Sequence, residues 1–128
     1  MNVVDFETAK CIAEKLNLKT WHFCYYLYAK DNKRLIDWSS IEADYYLKDD
    51  SRFYCAPFLQ EVIEDFENIY GWSIFIHPKL IDGKMLTYSM ITKEGDDKDY
   101  SSGICDKNRF ESINRAIQET VKLISEEK

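Results

Sequence analysis

The stretch Ala56-Pro57-Phe58-Leu59-Gln60-Glu61-Val62-Ile63-Glu64-Asp65-Phe66-Glu67-Asn68-Ile69-Tyr70-Gly71-Trp72-Ser73-Ile74-Phe75-Ile76-His77-Pro78 decides the fold, because its apolar period changes partway along. Phe58, Leu59, Val62, Ile63, Phe66, Ile69 and Tyr70 recur as a helical stripe over 57–70. Pro57 suits a first helical turn, where its missing N–H would have no partner anyway. Gly71 is a stop that tolerates positive φ. From Trp72 to His77 the pattern becomes that of a strand, closed by Pro78. Asp82-Gly83 is a tight-turn pair, so Lys84 to Thr92 reads as the returning arm of a hairpin.

Working outward, two further helices are expected. Residues 5–17 carry Asp5 as N-cap and Phe6, Ala9, Ile12, Ala13 and Leu16 as an apolar side, with Asn17 as an end signal. Residues 108–125 start on Asn108 with Glu111 three positions on, and bury Phe110, Ile113, Ala116, Ile117, Val121 and Ile124. The tail from Ser125 is expected to fray. Trp21 to Tyr28 is dense in aromatics and reads as a strand, with Asp31-Asn32-Lys33 as a turn and Arg34 to Trp38 as a second arm. Within residues 39–52, Ile41 to Leu47 reads as either a short helix or an irregular strand. Glu94 to Asp99 reads as a mobile polar loop, and Tyr100 to Cys105 as a short edge strand. Together these segments predict an α+β fold, with one antiparallel sheet of four or five strands and two or three packed helices. A length of 128 residues fits a single domain over 1–128.

The order Ala56-Pro57-Phe58-Leu59-Gln60-Glu61-Val62, then Asp65-Phe66-Glu67 and Tyr70-Gly71-Trp72, resembles a group of small uncharacterised proteins encoded by phages and mobile elements of gut bacteria. Their pattern is an Ala-Pro start to an amphipathic helix, then a β-hairpin, then a C-terminal helix. The resemblance covers roughly residues 53–125. It implies an accessory role in a phage or mobile-element setting, and brings no activity with it.

Charge narrows the function classes. The net charge is −6, and it is concentrated. Residues 39–70 hold eight acids (Glu42, Asp44, Asp49, Asp50, Glu61, Glu64, Asp65, Glu67) against Lys48 and Arg52. The rest of the chain balances, with fifteen acids and fifteen bases. Nucleic-acid binding through a basic surface is therefore not expected. No apolar run is long enough for a membrane span and no secretory leader is visible, so a cytoplasmic protein is expected. Cys11, Cys24, Cys55 and Cys105 stand singly. Two disulfides would suit a secreted chain, but free thiols are the expectation here.

No catalytic motif emerges. A nucleophile would need Cys24 or Cys55 beside His22 or His77, and nothing local marks such a pair. A zinc site has only His22-x-Cys24 as close spacing. A calcium loop counted from Asp97 puts Ser102 sixth and Asn108 twelfth, where glycine and glutamate are required. No phosphate loop or nucleophile elbow is present, so no metal and no cofactor is expected. Two readings remain. In the first, a non-enzymatic protein binds a basic protein partner through an acidic patch of Glu61, Glu64, Asp65, Asp49 and Asp50. In the second, a small-ligand binder or enzyme uses an aromatic pocket with His22 or His77 as its polar group. A third possibility for the Tyr-rich strand is that part of it reaches the surface as an interface.

Overall fold

The computed structural model describes residues 3–16, 23–29, 32–37, 53–101 and 103–127. Expectations for Asn17, Trp21, His22, Asp31, Trp38 and residues 39–52, with Asp44, Asp49 and Asp50, lie outside them. The fold is α+β, and the chain divides into two compact units, Met1–Phe58 and Leu59–Lys128. A single sheet of four or five strands is not what the described strands form. They make two three-stranded antiparallel sheets, one in each unit, because each strand pairs within its own side of the helix that begins at Leu59.

In the first unit, helix α1 (Phe6–Lys15) is capped by Asp5, whose carboxylate accepts from Thr8 N at 2.8 Å. Its buried side is Thr8, Ala9, Ile12 and, just past its end, Leu16. Ala13, expected in the stripe, is exposed, and Thr8 takes the buried position instead. Strand β1 (Phe23–Ala29) is central, flanked by β2 (Asn32–Asp37) and β3 (Phe53–Cys55). Asn32 and Lys33 were expected in the turn, yet both are in the ladder, opposite Ala29 and Leu27. A register irregularity between Leu27 and Ala29 absorbs the difference. Phe6 meets Tyr54 edge-on at 5.6 Å, which sets α1 beside β3. Pro57 does not open the following helix. It lies in an extended segment whose carbonyl accepts from Val4 N at 3.0 Å, and Phe58 bridges Val3.

In the second unit, helix α2 (Leu59–Asp65) passes into a π-helical turn (Phe66–Tyr70) that stops at Gly71, φ 74°. Strands β4 (Trp72–Ile81) and β5 (Lys84–Lys93) form the expected hairpin, with Asp82 and Gly83 both at positive φ. β4 runs through Pro78 rather than ending there. With Ile81 and Lys84 closing a two-residue turn, alternate β4 residues, Pro78 among them, direct their backbone outward. Among the described strands β4 lies at an edge of its sheet, so proline there removes no ladder bond to β5.

Strand β6 (Cys105–Asp106) pairs with β5, and helix α3 (Arg109–Glu126) follows. Asn108 caps α3, accepting from Phe110 N at 2.8 Å and Glu111 N at 3.3 Å. The helix covers one sheet face, where Trp72, Ile74, Ser89 and Ile91 are buried. Its three buried polar residues all have partners. Ser112 Oγ meets Ser89 Oγ at 2.6 Å, while Asn114 and Thr120 donate to the carbonyls of Phe110 and Ala116. The helix end is also fastened rather than frayed. Glu127 accepts from Trp72 Nε1 at 3.3 Å and forms an ion pair with Lys93.

Candidate protein-binding surface

The acidic element is α2 with its π turn. Leu59, Val62 and Phe66 are buried and fix its rotation. Gln60, Glu64, Glu67 and Asn68 are exposed, and Glu61 and Asp65 are half-buried at its sides. Glu61, Glu64, Asp65 and Glu67 thus share one element that contains no Lys or Arg. Glu64 accepts from Gln60 Nε2 at 3.2 Å. Asp65 and Glu67 form no ion pair with a described base. Asp49 and Asp50, the other acids of the expected patch, lie outside the described residues.

The π turn alters the predicted stripe. Gly71 N donates to Phe66 O, five residues back, so the last turn holds an extra residue and the 3.6-residue period is lost. Ile69, expected to be buried, is consequently 60% exposed beside Glu67 and Asn68.

The hairpin register adds an acid that the charge count along the sequence missed. Glu94 N donates to Gly71 O at 2.8 Å, which sets the Glu94 side chain over the glycine. A Cβ at position 71 would come within 3.3 Å of Glu94 Oε2. Glu67, Asn68, Gly71, Ser73, Thr92, Lys93 and Glu94 line an open depression of about 420 Å³. Counting outward from Asp82-Gly83 places residue 94 opposite 71, so the signal was present in the turn pair.

The other face of this sheet holds the alternate residues of β4 and β5. It carries Phe75, 51% exposed, opposite Met90, and His77 opposite Tyr88. The His77 and Tyr88 rings lie 4.9 Å apart, and Lys79 Nζ stands 5.0 Å from the Tyr88 ring centre. Tyr88 OH donates to the Asp99 carboxylate, which also accepts from Ser101 N at 2.8 Å and Ile91 N at 3.3 Å. The hydrogen bond to Asp99 raises the Tyr88 pKa above its ordinary value. Partial burial pushes Asp99 up, but the hydrogen bonds it accepts outweigh this and hold it below the usual carboxylate range. The loop expected to be mobile is therefore tied to β5, and Tyr100 N donates to Ile91 O at 2.7 Å. His22 lies outside the described residues. His77 is exposed, and neither a histidine nor an aromatic residue lines the depression.

Among the described residues, no group of three or more His, Cys, Asp or Glu side chains could hold a metal ion. No described helix is long and apolar enough to cross a membrane. The chain matches no family model, no curated protein and no solved structure.

Proposed function

We propose that this protein is a non-enzymatic accessory that binds a basic protein partner through the acidic surface of α2 and its π turn. The observation carrying this reading is the outward set Glu64 and Glu67, joined by Glu94 and flanked by Glu61 and Asp65, with the apolar side chain of Ile69 exposed among them. Exposed carboxylates beside an apolar contact suit a partner that offers Lys or Arg next to an apolar residue. The setting we propose is a phage or mobile element, on the strength of the resemblance over residues 53–125. The small-ligand alternative has less support among the described residues, since neither His77 nor Tyr88 lines the depression.

The test is a charge reversal at two exposed positions, Glu64→Lys with Glu67→Lys. The immobilised parent protein is expected to retain a basic protein from host lysate, with retention falling as salt rises. The double variant should lose that protein while melting at the parent's temperature. Retention of the same protein by the double variant would overturn the reading.

A further inference from the structure

The first sheet brings two of the four cysteines to a single register position. Cys24 of β1 stands directly opposite Cys55 of β3, thirty-one positions away in the chain. Directly opposite residues of an antiparallel pair share a sheet face, with Cα atoms about 4.5–5.5 Å apart. Disulfides span Cα separations of about 4.4–6.8 Å. The other two cysteines have no such counterpart. Cys11 is on α1 and Cys105 on β6 in the other unit, and both are free thiols.

We propose that Cys24 and Cys55 form a dithiol–disulfide couple that joins β1 to β3 when the protein meets a small-molecule disulfide of the oxidised-glutathione class. One cysteine thiolate attacks the small disulfide, forming a mixed disulfide and releasing one small thiol. The second thiolate attacks the protein sulfur of that mixed disulfide and expels the other small thiol. The protein loses two protons and two electrons, and one small disulfide becomes two small thiols. The new bond closes the chain from 24 to 55, which includes all of β2. This inference is independent of the acidic-surface reading.

The experiment equilibrates the full chain in glutathione buffers from reducing to oxidising, blocks free thiols and measures intact and peptide masses. Two of the four thiols should become protected together, with the unblocked protein lighter by about 2 Da and a linked peptide pair containing Cys24 and Cys55. Dithiothreitol should reverse the change. Cys11→Ala with Cys105→Ala leaves the pair intact and should bridge as the parent does. Cys24→Ser should give a glutathione adduct at Cys55 in place of the bridge. Four thiols that remain blockable throughout, or a bridge that maps to Cys11 or Cys105, would overturn the proposal.

Discussion

Helices α2 and α3 belong to the same unit and use apolar residues in opposite ways. α3 keeps one period over 18 residues, is capped by Asn108 and buries eight positions, packing on both the sheet and α2. α2 has seven α-helical residues and then five π-helical ones, and buries only Leu59, Val62 and Phe66. Its last turn sends Ile69 outward among acids. α3 is therefore the helix that holds the sheet, and α2 is the helix that shows surface. Apolar content alone does not separate a core helix from a presenting one. The continuity of the period to the last turn does.

The contrast can be broken by truncating one apolar residue in each helix. Ile117→Ala empties a fully buried position under α3 and should cost about 2–5 kcal/mol in urea unfolding. Ile69→Ala should change stability by no more than about 0.5 kcal/mol. Equal losses would show that Ile69 is packed and that the two helices do not differ in this way. Asn108→Ala removes the side-chain oxygen that accepts at the start of α3 and should cost about 1 kcal/mol.

The smallest effect is expected at the other end of α3. The hydrogen bond from Lys93, helped by the one from Trp72, holds the Glu127 carboxyl below its ordinary range. A carboxyl lowered by folding stabilises the protein above its unfolded pKa, and that contribution disappears as pH falls through the folded value. Parent and Glu127→Gln should therefore differ most near neutral pH and converge on acidification below about pH 4. A difference that stays constant down the acid limb would remove the ionised carboxylate from the account.

Much of the second unit was legible because its signals are local. Asp82-Gly83 sets the hairpin and its register, Asn108 starts α3, and Gly71 stops the helix before β4. Pro57 and Pro78 were misleading for one shared reason. A proline is read from its own backbone demands, whereas its neighbours in space decide whether those demands matter. Pro57 sits in a segment held by Val4, and Pro78 sits at an edge of the described strands, where its missing donor costs no bond to β5. The loop after Glu94 looked mobile from composition alone. Asp99 ties it down through partners on β5 as well as within the loop.

By itself the sequence determined the α+β class, the described helices, the hairpin and the concentration of negative charge around residues 39–70. Each follows from period, capping chemistry or charge, which act over a few residues. Only the tertiary structure decided that the described strands form two sheets, that Ile69 faces solvent, that Glu94 joins the acids of α2, and that Cys24 stands opposite Cys55. Those outcomes depend on which distant backbone groups pair, and pairing energy is gained between strands rather than along one.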